Sequence, residues 1–73
     1  MTLRGYSDDV VELTPRMRAV LVSASLGRTA GETALELRVS EATVWTIRSA
    51  ACARLGASNV TAAVSTAIRA GVL

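Results

Sequence analysis

The sequence predicts an all-α domain built from four helices. Apolar residues recur every three or four positions in four separate segments, and each segment begins with a residue suited to cap a helix. No segment shows the apolar–polar alternation of a strand. The 73 residues are 51% apolar, yet the only aromatic residues are Tyr6 and Trp45. We therefore expect Ala, Val, Leu and Ile to form the core between closely packed helices.

The first helix is predicted over residues 14–25. Thr14 is a suitable N-cap residue, and Pro15 fits the first helical position because its missing N–H would have no partner there. Gly27 is expected to break the helix. The apolar stripe of this helix consists of Met17, Val20, Leu21 and Ala24.

The second and third helices follow closely on one another. Thr29 and Glu32 have the spacing of a capping box at the start of a short second helix. Ser40 is the predicted cap of the third helix, over residues 41–55, and Gly56 is expected to end it in a left-handed conformation. The predicted buried residues are Ala30, Ala34 and Leu37 in the second helix, and Val44, Ile47, Ala51 and Leu55 in the third.

The fourth helix is predicted over residues 60–70. Asn59 can cap it, Gly71 can end it, and Val72 is expected to pack back against it. Its predicted buried stripe consists of Val60, Ala63, Val64, Ala67 and Ile68.

The charge of the chain is unevenly distributed. Residues 1–12 contain one Arg and three acidic residues and carry a formal charge of −2, whereas residues 13–73 contain seven Arg and three Glu and carry +4. We expect residues 1–12 to be an N-terminal arm and residues 13–73 to be the folded domain. A body with this charge suits a polyanionic partner, although an ordinary basic surface would have the same composition.

Several classes of function are disfavoured by composition. The chain has no His, and its single cysteine, Cys52, has no neighbouring base. Neither a disulfide within the chain nor a His/Cys metal site can form, so we expect no metal, no cofactor and no enzymatic activity. No signal peptide and no membrane-spanning segment is visible, and we expect a cytoplasmic protein.

The second and third helices have the spacing of a helix-turn-helix. Only about three residues separate them, and the small Ala34 and the β-branched Val44 lie where two steeply crossing helices must touch. Many small α domains contain such a corner without binding DNA, so the spacing alone does not indicate a function.

A longer series of residues resembles one family. The elements fall in a gapless order: LTPR.R.VL at 13–21, G at 27, E.A at 32–34, L.VSEATV at 37–44, RS at 48–49, RLG at 54–56 and, with Thr61 in place of Ala, A.AV at 61–64. This part of the chain is similar to the LuxR/GerE-type helix-turn-helix domain. The resemblance implies a four-helix fold in which helix 41–55 enters the major groove of double-stranded DNA and the fourth helix forms a homodimer.

The chain departs from the family pattern at four positions. Met17 stands where the family usually has Glu, and Arg38 where it usually has Gly in the turn. Trp45 and Ile47 lie near its usual Lys or Arg and its usual His. If the turn keeps a left-handed backbone, Arg38 costs about 1 kcal/mol relative to Gly.

The resemblance and the helical spacing together give candidate DNA contacts. Trp45, Thr46 and Ser49 point away from Val44 and correspond to positions where the family contacts bases. They carry no charge, so we expect few base-specific hydrogen bonds, with apolar contact to a thymine methyl as a further means of readout. The candidate phosphate contacts are Arg16, Arg28, Arg38, Thr43, Arg48 and Arg54.

Trp45 has three possible roles. It could fold back over the second helix as part of the core, make a groove-facing apolar contact with DNA, or anchor a protein interface, where Trp is enriched among binding hot spots. Its position on the helix disfavours the first role.

The outward face of the fourth helix carries small side chains. Its candidate dimer contacts are Ala62, Ser65, Thr66 and Arg69. A twofold dimer through helix 60–70 would place two recognition helices about one turn of DNA apart. A solvent-exposed, Ala-rich face is the alternative.

These observations favour a small stand-alone transcriptional regulator that binds DNA as a homodimer. One alternative is a protein-interaction module on the same scaffold, such as an antagonist of a related regulator, with Trp45 as its anchor. Another is a module resembling region four of a sigma factor, which would not need the fourth helix for dimerisation. A helical domain without a nucleic-acid role is also left open.

Overall fold

A computed structural model of the chain describes residues 12–73, which form four α-helices and contain no strand. The helices are α1 (Pro15–Ser25), α2 (Ala30–Leu37), α3 (Glu41–Leu55) and α4 (Val60–Arg69). The predicted all-α class and its four helices are therefore confirmed. Apart from Glu12, the predicted N-terminal arm lies outside the described residues.

All four predicted N-caps are confirmed. Each cap side chain accepts a hydrogen bond from the backbone N–H three residues later, and the cap residues are Thr14, Thr29, Ser40 and Asn59. The capping box of α2 is complete, because Thr29 N donates to Glu32 Oε1 over 2.8 Å. Each cap satisfies a backbone N–H that has no partner within its helix.

The core consists of two clusters that share α1 and α3. Val20 and Val44 are fully buried in one cluster together with Ala30 and Ala34 of α2. The other cluster joins α1, α3 and α4 and contains Leu21, Ala51, Leu55, Ala63 and Ala67. Ala34 and Val44 lie in one cluster, as predicted for the corner between α2 and α3.

One predicted core residue is wrong. Ile68 was expected in the buried stripe of α4, but its side chain is 56% exposed. The small Ala63 and Ala67 are fully buried, so they mark the centre of the packed face. At about 100° per residue, Ile68 lies about 120° from that centre and faces outward.

A chain of polar side chains connects α1 to α2 beside the first cluster. Ser23 Oγ donates to Glu36 Oε1 over 3.0 Å. Its single hydrogen is then used, so Thr33 donates to Ser23 over 2.7 Å. Glu36 Oε2 accepts from Arg28 Nη1 at 3.0 Å. Ser23 and Thr33 are both buried, and their mutual hydrogen bond removes much of the penalty of burying two hydroxyl groups.

The turn from α2 to α3 spans residues 38–40. Arg38 has φ 60° and ψ 44° and is the only non-Gly residue with positive φ among residues 12–73. The turn is closed by a hydrogen bond from Val39 N to Ala34 O over 3.0 Å. The left-handed backbone that the family pattern implies is thus kept although the residue is not Gly.

We expect Arg38→Gly to raise the free energy of unfolding by about 0.5–1 kcal/mol, because Gly relieves the steric cost of positive φ but gains freedom in the unfolded chain. Gly56 has φ 66° and open space where a Cβ would be placed. Gly56→Ala is therefore the matched reverse change and should lower the free energy of unfolding by about 1 kcal/mol. Urea unfolding followed by circular dichroism measures both. Destabilisation by Arg38→Gly would contradict the left-handed turn.

Candidate nucleic-acid interface

The outward face of α3 carries all three predicted base-contact residues. Trp45, Thr46 and Ser49 are exposed, whereas Val44 and Ala51 on the opposite face are fully buried. Ala42 and Ala53 extend the exposed face toward the two ends of the helix. The structure therefore brings the three candidates together on one accessible surface of the longest helix.

The hydroxyl groups on this face have different partners. Thr46 Oγ1 donates to Ala42 O over 3.1 Å, so only its lone pairs and its methyl group are left for a ligand. Ser49 makes no side-chain hydrogen bond to any residue in 12–73. Ser49 is thus the one hydroxyl on this face that can both donate to and accept from a base edge.

Trp45 is 53% exposed, which excludes the core role considered from the sequence. Its ring lies beside a shallow groove of about 560 Å³ between α3 and the start of α4, whose other sides are formed by Ser49, Cys52, Ala53 and Val60. The groove and the ring together form a largely apolar surface. Such a surface suits either a base edge or an apolar side chain of a protein.

Arg48 contacts Trp45 one helical turn away. Its Cζ atom lies 5.3 Å from the centroid of the indole ring, within the range of a cation–π interaction. Its Nη2 donates to Arg28 O over 3.4 Å, and its Nε is buried without a hydrogen-bond partner among the described residues. The guanidinium group is therefore partly engaged within the protein, although the sequence predicts a phosphate contact for Arg48.

The other predicted phosphate contacts differ in whether their side chains have hydrogen-bond partners within the described residues. Arg28 forms an ion pair with Glu36, and Arg54 Nη1 donates to Glu12 O over 2.6 Å. The hydroxyl of Thr43 hydrogen-bonds to that of Ser40 over 2.8 Å. The remaining two, Arg16 and Arg38, are exposed, and neither forms a side-chain hydrogen bond within the described part of the chain.

The acidic residue Glu41 begins α3 and lies close to the start of α2. A methyl group added at Gly31 would lie 3.5 Å from Glu41 Oε1. The carboxylate therefore lies over the first turn of α2, whose positive dipole end favours a negative charge.

The predicted dimer residues on α4 fall into two groups. Ser65 and Arg69 are exposed, whereas Ala62 and Thr66 are half-buried. An exposed stripe runs through Thr61, Ser65 and Ile68, which are spaced at three and four residues. Ile68 is thus a large apolar residue on the outward face, whereas the sequence predicts it in the buried stripe.

The contact between Arg48 and Trp45 was not predicted from the sequence. Their spacing of three residues was the available signal, because side chains at this spacing are neighbours on a helix. The burial of Ser23 and Thr33 had no comparable local signal. It depends on how α1 packs against α2.

Two negative findings concern the described residues. None of the helices within residues 12–73 is long and apolar enough to span a membrane. No group of three or more His, Cys, Asp or Glu residues in this range could hold a metal ion.

Comparison with known proteins identifies one family. The family model GerE, described as bacterial regulatory proteins of the luxR family, matches residues 11–67. The match contains all of α1, α2 and α3 and extends through Ala67 of α4. A search of the curated proteins found no match to the chain.

The rotation of α3 can be tested by two reciprocal substitutions. Ser49→Ala should leave the free energy of unfolding unchanged or raise it by up to about 0.5 kcal/mol, because Ser49 is exposed and Ala has the higher helix propensity. Ala51→Ser should lower it by about 1–2 kcal/mol, because a hydroxyl group would be added at a fully buried position. Urea unfolding of both variants is the measurement, and equal effects would contradict the observed rotation.

Proposed function

The chain belongs to the luxR family of bacterial regulatory proteins, and we propose that it is a transcriptional regulator that binds double-stranded DNA as a homodimer, with α3 in the major groove. The observation that carries the proposal is the exposed face of α3, where Trp45, Thr46 and Ser49 are accessible on a helix fixed by buried Val44. An α-helix with such a face fits the width of the major groove.

Base selection on this face depends mainly on shape. None of the three side chains offers the paired donors with which Arg or Lys recognises guanine. The indole ring of Trp45 and the methyl group of Thr46 suit apolar contact with a thymine methyl, and Ser49 supplies a hydrogen bond. We expect modest discrimination between base pairs per recognition helix.

Affinity depends mainly on phosphate contacts. Arg16 and Arg38 are the candidates best placed to make them, because their side chains are exposed and have no partner in residues 12–73. Arg28, Thr43 and Arg54 would have to exchange present partners for phosphate oxygens. Arg is suited to this task because its guanidinium group can bind a phosphate through two hydrogen bonds.

Dimerisation is supported by the outward face of α4. Thr61 and Ser65 are small enough to let a second helix approach, and the exposed Ile68 supplies apolar area to bury. A twofold arrangement would double the number of phosphate contacts and set the spacing of two half-sites.

Binding to a protein is the second candidate function. The observation that favours it is the exposed Trp45 beside the groove of about 560 Å³. Trp is the type of residue most often found at the energetic centre of protein interfaces. A titration of Trp45 fluorescence with duplex DNA distinguishes the two candidate functions.

Trp45 is the only tryptophan of the chain, so its fluorescence reports directly on α3. We expect duplex DNA selected by the protein from a random pool to quench Trp45 emission more strongly than unselected duplex, and added salt to weaken both effects. In fluorescence anisotropy with labelled duplex, replacing Arg16 and Arg38 by Met should reduce the slope of log affinity against log salt by about 3.6, because the dimer would lose four phosphate contacts at ~0.9 each.

The absence of any response to DNA would contradict the proposal. If neither emission nor anisotropy changes at any DNA concentration while circular dichroism shows an intact helical fold, the DNA-binding proposal is refuted. The protein-binding candidate would then become the leading explanation of the exposed Trp45.

The homodimer has a separate test in light scattering at tens of micromolar. We expect the wild-type chain to have twice its monomer mass and Ile68→Asp to have the monomer mass, because a buried carboxylate without a partner would oppose association. Leu35→Asp is the matched control, since Leu35 is 83% exposed on α2, and it should leave the dimer mass unchanged. A monomeric wild type would rule out the dimer.

A further inference from the structure

The guanidinium group of Arg48 has two contacts within the protein, and one of its nitrogens is buried. Its Cζ lies 5.3 Å from the centroid of the Trp45 ring, and its Nη2 donates to Arg28 O over 3.4 Å. Its Nε is inaccessible to water. An Arg that extended toward a phosphate would expose this nitrogen. In the structure, the guanidinium group instead packs between the Trp45 ring and the loop before α2.

From this arrangement we infer that Arg48 is a positioning residue: it fixes the indole ring of Trp45 on the face of α3 and thereby determines which base pairs that face accepts. The inference rests on the proposed DNA-binding function. It assigns Arg48 an indirect effect on selectivity, in place of the direct phosphate contact that the sequence indicated.

The ring needs such a partner because Trp45 is half exposed and has two freely rotating side-chain bonds. A ring that moved among several rotamers would contact different base pairs equally well and would lose entropy on binding. The guanidinium group limits this motion from one side of the ring.

Arg48 is itself held in place by the polar chain between α1 and α2. Its acceptor is the carbonyl oxygen of Arg28, whose side chain forms the ion pair with Glu36. Glu36 in turn accepts from the buried Ser23. The position of the Trp45 ring is therefore connected, contact by contact, to the buried interface of α1 and α2.

Selectivity between base pairs depends on the Trp45 ring more than it would in a helix whose charged side chains hydrogen-bond to bases. Thr46 has already used its hydrogen on Ala42 O, which leaves Ser49 as the one hydroxyl on this face whose hydrogen is not engaged within residues 12–73. The ring is the largest side chain on the face and forms one side of the groove. Its edge and the groove together match a base pair that carries a thymine methyl.

The test compares Arg48→Met with Arg38→Met, which removes the same charge from an exposed Arg that lacks the Trp45 contact. In the free protein, acrylamide should quench Trp45 more readily in Arg48→Met than in wild type, and the anisotropy decay should show a more mobile ring. Arg38→Met should leave both measurements unchanged. Circular dichroism establishes that each variant is folded.

The second measurement uses DNA that the wild type has selected from a random pool, with unselected duplex as reference. Arg48→Met should lower the ratio of the two affinities about threefold, to the value of Trp45→Ala, while the salt slope stays unchanged. The double variant should be no less selective than Trp45→Ala alone. Arg38→Met should instead reduce the salt slope by about 1.8, since the dimer loses two phosphate contacts, and keep the ratio.

Three results would overturn the inference. Unchanged acrylamide quenching in Arg48→Met would show that the ring is not held by Arg48. A salt slope reduced by about 1.8, the loss of one contact per protomer of the dimer, with unchanged selectivity would make Arg48 a phosphate contact. Additive losses in the double variant would show that Arg48 and Trp45 act independently.

A folding defect of Arg48→Met would not end the test. Arg48→Lys keeps the charge but lacks the planar group that packs on the ring. It should therefore retain the salt slope and lose selectivity, whereas a phosphate contact would be largely restored by Lys. If the wild type binds no duplex, the proposed function and the selectivity part of the inference both fail, and the quenching comparison still decides whether Arg48 holds the ring.

Discussion

Val44 is fully buried in one cluster with Val20 of α1 and with Ala30 and Ala34 of α2. This contact fixes the rotation of α3 about its own axis, because turning the helix would expose Val44 and bring Trp45 into a space shaped for a smaller side chain. The exposed face is therefore a consequence of the core. A helix whose rotation is fixed in this way can present the same side chains to every ligand, which is a condition for selective binding.

The polar chain that begins at buried Thr33 adds a second constraint. It passes through Ser23 and Glu36 to the loop that holds Arg28. Apolar packing alone tolerates small shifts between helices, whereas a hydrogen-bonded network of defined geometry favours one arrangement. This network lies close to the helix-turn-helix corner and ends at the carbonyl group that Arg48 contacts. The buried polar side chains between α1 and α2 are thus coupled to the position of Arg48 on the surface of α3. The domain is too small to fix that position by a large apolar core alone.

In the proposed function, the Arg residues supply affinity and the exposed face of α3 supplies selectivity. Several of the Arg residues are engaged by carbonyl or carboxylate groups of the protein itself. The face of α3 has an indole ring where the family usually has a basic residue. A domain of this composition would depend on shape and on a second copy of itself for selectivity, since single apolar contacts discriminate weakly between base pairs. The outward position of Ile68 on α4 is consistent with that dependence.

The sequence by itself determined the helices, because their signals are local. Each cap reaches only three residues along the chain, and the buried stripes of α1, α2 and α3 follow the helical period. The same period predicted the exposed face of Trp45. Tertiary structure decided the rest: the outward position of Ile68, the burial of Thr33 and the partners of Arg48. Each of these depends on which neighbouring element approaches and how closely, and a pattern along one helix does not contain that distance.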